Sequence, residues 1–168
     1  MGSDIKALQF NPFPGLRPFT PQESNLFFGR ETESREVLDK LLKNKFITVI
    51  GASGTGKSSL IYCGVLPGIK KYETGGSGDW KFVVFRPGND PFTNLGEAIE
   101  ENIAETGNKK AGVENIILEM HLNSDGITSA LKKFLIRGKE KVVLVIDQFE
   151  EVLTHDPTNL KAKRTFFE

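Results

Sequence analysis

Apolar residues recur along this chain in two rhythms. Phe46 to Ile50, Phe82 to Phe85 and Lys141 to Ile146 are short runs rich in Val, Ile and Phe, the pattern of strands buried on both faces. Elsewhere the apolar positions return every three or four residues. Val37, Leu38, Leu41 and Leu42 stripe a helix predicted over Glu31 to Lys43, and Leu95, Ala98, Ile99 and Ile103 stripe a second. Val113, Ile116, Ile117 and Met120 mark a third, and Ile127, Ala130, Leu131, Phe134 and Leu135 a fourth. Punctuation agrees with these boundaries. Asp90 before Pro91 is a helix start, Ser124 or Asp125 supplies another cap, Pro87-Gly88 closes a strand, and Gly75-Gly76-Ser77-Gly78 is a flexible loop. Strands alternating with helices imply an α/β fold, a mainly parallel sheet with helices on both faces.

Bulk composition narrows the setting. With 168 residues the chain is long enough for one domain with a core. Lys+Arg and Asp+Glu are both 22, so no overall positive field draws in nucleic acid or an anionic membrane. The single cysteine, Cys63, allows no internal disulfide and no cysteine-based metal site, which points to a reducing, cytoplasmic compartment. No apolar stretch reaches membrane-spanning length. Residues 11 to 22, rich in Pro and Phe, read as a stiff arm. Packing of its phenylalanines on its own domain is favoured over capture by a proline-binding partner.

The sharpest chemistry lies at residues 51 to 58, Gly-Ala-Ser-Gly-Thr-Gly-Lys-Ser. Gly51, Gly56, Lys57 and Ser58 stand where a phosphate-binding loop requires them. Glycines let the backbone curl so that successive N–H groups of Ser53, Gly54, Thr55 and Gly56 face an anion. Lys57 is expected at the β- and γ-phosphates, Ser58 on Mg²⁺, and Ser59 beside it. The predicted strand Phe46 to Ile50 precedes the loop. A helix over Ser59 to Leu66, ending at Pro67, follows it and offers its positive end to the phosphates.

A second site follows the third strand. Val142-Val143-Leu144-Val145-Ile146 ends in Asp147, and Glu150 and Glu151 come in the next turn. Mg²⁺ keeps several waters and takes one or two carboxylates, so Asp147 is the expected second metal anchor after Ser58. A carboxylate a few residues on is placed to polarise a water against the γ-phosphate. Glu150 is the first choice for that role and Glu151 the second. The Asn-Lys-x-Asp guanine reader is missing, since Asn108-Lys109-Lys110 is followed by Ala111, which leaves ATP favoured.

A family resemblance adds to these residues. Phe27-Phe28-Gly29-Arg30-Glu31-Thr32-Glu33 resembles the box that precedes the phosphate loop in STAND-class signalling ATPases and their AAA+ relatives. That likeness implies an adenine contact at Phe28, Gly29 and Arg30. Asp147-Gln148-Phe149-Glu150-Glu151 resembles the metal-binding motif of the NACHT branch, with Gln148 where a second acid is common. The arm from Asn11 to Phe19, Gly78-Asp79-Trp80 and Phe85-Arg86-Pro87-Gly88 are similar to the group called novel STAND NTPase 1. The resemblance implies a P-loop three-layer sandwich. An arm carrying the adenine box fills residues 1–30, and the nucleotide core fills 31–168, truncated after the third strand. It further implies an ATP/ADP switch that sits between an effector and a repeat sensor and assembles as a homo-oligomer, with hydrolysis resetting it. Thr158 to Glu168 reads as a helix that runs off the end.

Three rival readings compete with this one. A small-molecule phosphotransferase needs an arginine-rich lid, and no arginine cluster lies between the loop and Asp147. A DNA-remodelling motor needs a basic pore loop or an added DNA-binding part. A scaffold that holds ATP without hydrolysis is consistent with Gln148. Isolated His121 and His155 have no second ligand at metal spacing, and Lys132-Lys133, Lys161, Lys163 and Arg164 read as solvated faces. Arg86 reads as a partner in a structural ion pair, Arg30 as part of the adenine pocket, and Trp80 as a core or loop anchor.

Overall fold

The structure is a computed structural model that describes residues 15, 17–72, 80–105, 111–122, 125–135 and 140–153. Several expectations lie outside the described residues: Asn11 to Pro14 and Leu16 of the arm, the Gly75–Gly78 loop with Asp79, Ser124 as a cap, the Asn108 to Lys110 run, His155, and the terminal helix with Lys161, Lys163 and Arg164. The chain divides into two compact units, Met1–Thr74 and Gly75–Glu168.

In the first unit a 3-10 helix, Pro21–Leu26, precedes α1, Glu31–Lys43. α1 follows from its acidic first turn, Glu31 and Glu33, and its basic last turn, Lys40 and Lys43, which suit the helix dipole. Its half-buried stripe is Ser34, Val37, Leu38 and Leu41, while Leu42 of the predicted face is exposed. After the phosphate loop comes one unbroken helical rod. It opens as α2, Lys57–Ser59, widens into a π-helical stretch, Leu60–Val65, and continues as α3, Leu66–Tyr72. The predicted stop at Pro67 does not occur. Leu66 N–H reaches back five residues to Ile61 O, which widens the turn just before the proline. That relieves the clash between a proline ring and the carbonyl four residues earlier. Leu60, Cys63, Val65, Leu66 and Ile69 on this rod are buried, and α1 packs along it.

The predicted strand at 46–50 forms no ladder. Its side chains still alternate: Ile47 and Val49 are half-buried, whereas Phe46 is 80 % and Ile50 89 % exposed. The period-two pattern is therefore real, but strand amides need a neighbouring ladder, and the first unit has no second strand among its described residues.

The second unit holds a parallel pair, β1 (Trp80–Phe85) and β2 (Lys141–Ile146), in a register that sets Val83 opposite Leu144 and Phe85 opposite Ile146. Parallel strands need a crossover. Here α4 (Pro91–Glu105), α5 (Val113–Leu122) and α6 (Gly126–Phe134) supply it. Asp90 caps α4 as predicted, with Oδ1 accepting Thr93 N–H at 3.2 Å and Oδ2 accepting the Thr93 hydroxyl at 2.8 Å. Asp125 stands before α6 but makes no side-chain cap bond.

Leu95, Ile99, Ile116, Ala130 and Leu135 form the core with Val83 and Phe85, and Val142, Leu144 and Ile146 pack against it. The buried Glu100 accepts the N–H groups of Ala111 and Gly112, both at 3.1 Å, and so ties α4 to the start of α5. The opposite row of the sheet, Phe82, Val84, Val143 and Val145, is half-buried. The mixed helix and strand architecture is compatible with the α/β class; the described residues build a two-stranded parallel sheet, and the full three-layer sandwich is not seen among them.

Candidate functional site

The phosphate loop is built by its own short-range bonds. Gly54 and Gly56 adopt φ of 78° and 83°, left-handed values that L side chains rarely take. Thr55 closes the curl, its hydroxyl donating to Ala52 O at 2.8 Å. Lys57 folds over the loop, its Nζ donating to Gly51 O at 2.8 Å and Ala52 O at 3.0 Å. A Cβ at Gly51 would sit 3.1 Å from Thr55 Oγ1 and 3.6 Å from Lys57 Cδ, so glycine keeps that space for the lysine. The first helical bond is Leu60 N–H to Gly56 O. The amides of Gly54, Gly56 and Lys57 donate to no backbone acceptor among the described residues. Residues 51 to 56, Ser53 included, are exposed, Lys57 and Ser58 are half-buried, and Ser59 is buried. A lysine ammonium beside unengaged amides at a helix start is a donor set suited to phosphate oxygens.

The box expected over adenine borders this loop. Phe28 is 77 % exposed, and Gly29 has φ of 80°. Arg30 Nη2 reaches Thr55 O at 3.5 Å while Nη1 pairs with Glu33 at 3.3 Å. Glu31 accepts Gly29 N–H at 3.0 Å, and hydrogen bonds from its own amide and from Gly29 hold its carboxyl below the usual range. A cleft of about 340 Å³ opens beside the box, walled by Phe27, Arg30, Ser34 and Leu38 on one side and by Gly64 and Lys71 on the other. Glycine at position 64 permits that approach, because a Cβ there would collide with Ser34 Oγ.

In the second unit the acidic turn is bonded to the end of β1. Asp147 N–H continues the ladder to Phe85 O at 2.9 Å. Its Oδ2 accepts both Nε and Nη2 of Arg86 at 3.2 Å, which makes Arg86 the ion-pair partner expected of it. Gln148 takes φ of 56°, an uncommon value for a residue with a side chain. The turn closes through Glu151 N–H to Gln148 O at 2.9 Å, and Glu151 Oε2 accepts Gly88 N–H at 3.1 Å. Glu150 is exposed, and no described group bonds it. Among the described residues no group of three or more His, Cys, Asp or Glu gathers at a metal-holding spacing. His121 lies in the last turn of α5 with its ring 4.4 Å from that of Phe92, and Trp80 carries Lys141 Nζ 5.1 Å over its ring.

The structure thus brings Gly51 through Ser59 together with Arg30 in the first unit, and Asp147 with Arg86 and Glu151 with Gly88 in the second. Sequence reasoning missed the bonds from Phe19 and Thr20 to the rod after the loop. Phe19 N–H donates to Ser59 Oγ at 3.1 Å, and Cys63 Sγ donates to Thr20 O at 3.2 Å. Backbone groups carry half of each bond, so residue type gave no signal for either.

The family model of Novel STAND NTPase 1 matches residues 12–168. The chain belongs to that family. It is a nucleotide-binding NTPase module, and nucleotide and divalent-metal use follow in general terms from the family. No curated protein and no solved structure matches the chain. No helix among the described residues is long and apolar enough to cross a membrane.

Proposed function

We propose that this chain is the ATP-binding and ATP-hydrolysing switch module of a larger signalling protein, with nucleotide state setting its assembly into homo-oligomers. The observation that supports it most is the loop at residues 51–59, where Lys57 folds over a curl whose Gly54 and Gly56 amides donate to no backbone acceptor among the described residues. Lys57 exchanges its loop carbonyls for phosphate oxygens, a charge-assisted contact stronger than the one it leaves. Gly29 and Arg30 lie against adenine, and exposed Phe28 offers it an apolar face. Ser58 in the first unit and Asp147 in the second are each a candidate ligand for Mg²⁺, which would neutralise charge on the phosphates. Glu150 orients the attacking water, because Glu151 is already engaged by Gly88 N–H. Gln148 and the Arg86–Asp147 pair favour a second reading, a module that binds ATP and releases it unhydrolysed.

Titration with a fluorescent ATP analogue, with GTP as competitor, tests the first step. Lys57→Ala is expected to lower affinity at least about a hundredfold, the scale of a lost charged phosphate contact. Equal affinity in the two proteins overturns the reading. Phosphate release that persists undiminished in Glu150→Gln moves the base elsewhere, and release absent from the parent protein selects the non-hydrolysing module.

A further inference from the structure

The Ser59 hydroxyl stands between the phosphate loop and the segment that precedes α1. It lies two residues after Lys57 and is 7 % exposed. It accepts Phe19 N–H at 3.1 Å, and one turn along the same rod the Cys63 thiol donates to Thr20 O at 3.2 Å. Two consecutive residues of the segment are thereby fastened to consecutive turns of the loop's own helix.

The segment is braced internally. Arg17 forks onto the Glu23 carboxylate at 2.8 and 2.6 Å. Glu23 Oε2 also takes the Thr20 N–H at 2.8 Å and the Thr20 hydroxyl at 3.0 Å. Phe19 sets its ring edge-on to Phe27, with centroids 6.1 Å apart. From Phe27 the chain runs straight into Phe28-Gly29-Arg30, and Arg30 reaches back to Thr55 O. A closed circuit therefore joins loop, rod, segment and box.

A serine hydroxyl has one proton to donate and two lone pairs. At Ser59 one lone pair is taken by Phe19, and no described acceptor takes the proton. We propose that residues Arg17–Phe28 form a nucleotide-coupled clip. Ser59 accepts Phe19 N–H while giving its own proton to a phosphate oxygen, and so transmits loading of the loop to the box at Phe28–Arg30. The clip rests on the nucleotide-binding reading above. A hydroxyl that donates to an anion becomes a better acceptor, so a loaded loop grips Phe19 more tightly. Linkage makes the effect reciprocal: a fastened clip raises nucleotide affinity by the same factor. Ser59 and Cys63 act here as positioning residues.

Amide exchange on the 168-residue chain, with and without Mg·ATP, tests the clip beside a calorimetric titration of the same samples. In the parent protein the amides from Phe19 to Phe27 are expected to slow by about tenfold on nucleotide addition. Ser59→Ala should bind nucleotide more weakly and lose that slowing. Cys63→Val keeps an apolar side chain of similar size and leaves every loop residue in place. It should retain nucleotide-dependent protection of the loop amides, lose it from Phe19 to Phe27, and bind about threefold more weakly. Nucleotide binding with no change at Phe19 to Phe27 overturns the clip and leaves the binding reading intact. Unaltered affinity and coupling in Cys63→Val also overturns it, whatever Ser59→Ala does to folding. A parent chain that takes up no nucleotide in the calorimeter removes both together.

Discussion

The phosphate loop and the acidic turn are held by opposite means. The first unit has α1 with no fully buried residue, a buried row on the rod from Leu60 to Ile69, and a loop closed by bonds spanning three to six residues. The second has a contiguous core of Val83, Phe85, Leu95, Ile99, Ile116 and Leu135, and its acidic turn is pinned by bonds that span more than sixty residues of sequence. Local bonds that close and reopen without disturbing a core suit a surface that must admit a ligand. Long-range bonds onto a packed sheet suit a carboxylate that must be held in one place. The loop is the part built to change and the acidic turn the part built to stay.

The largest effect that would break this contrast is a change in the second core. Gly126 opens α6 against the backbone of Met120, and a Cβ there would overlap the Met120 carbonyl. Gly126→Ala must push α5 from α6, and a loss of about 4 kcal/mol is expected, the scale of a severe packing defect. Urea unfolding measures it. A loss below about 1 kcal/mol would mean that α5 and α6 yield as easily as the loop does, and the contrast would go.

A smaller effect sharpens the acidic side. Arg86 puts a full positive charge on the oxygen of the residue marked for the metal. The arginine is about half exposed, so solvent screens the pair and its strength is that of a partly exposed ion pair. Arg86→Gln is expected to tighten Mn²⁺ binding in the presence of ATP by about threefold to fivefold, as read by paramagnetic resonance. Weaker binding would recast Arg86 as the group that aims Asp147 toward the metal.

How much of this was legible beforehand follows the same division. The stripes of α4 and α5 and the Asp90 cap were readable because burial repeats with the helix period and a cap is a local bond. The loop was readable because phosphate binding demands glycines and a lysine at fixed spacing. Phe46 to Ile50 misled because an apolar alternation records what a segment would bury and says nothing of whether a ladder stands beside it. Pro67 misled because the π-helical turn that accommodates it is set by packing, with Gly64 against Ser34 of α1, and by no local preference. The clip was invisible because Phe19 and Thr20 contribute backbone atoms, which every residue has.

The smallest effect concerns the clip and acid. Glu23 is held to a pKa of about 2, from an ordinary 4.5, chiefly by its hydrogen bonds from Arg17 and then from the Thr20 amide. A folded-state value below the unfolded one contributes stability that is complete above about 4.5, shrinks as pH falls, and is gone below about 2. Both partners are solvent-accessible, so screening keeps the contribution small. Glu31 is shifted the same way by backbone amides, so the first unit as a whole loses support in acid. Exchange of the Phe19 and Thr20 amides, corrected for intrinsic pH dependence, is therefore expected to quicken between pH 4.5 and 2. Glu23→Gln should make that exchange fast at every pH and remove the acid step. If the variant kept the step, Glu31 would be its source, and the brace that holds the clip would lie in the box instead of in the Arg17 fork.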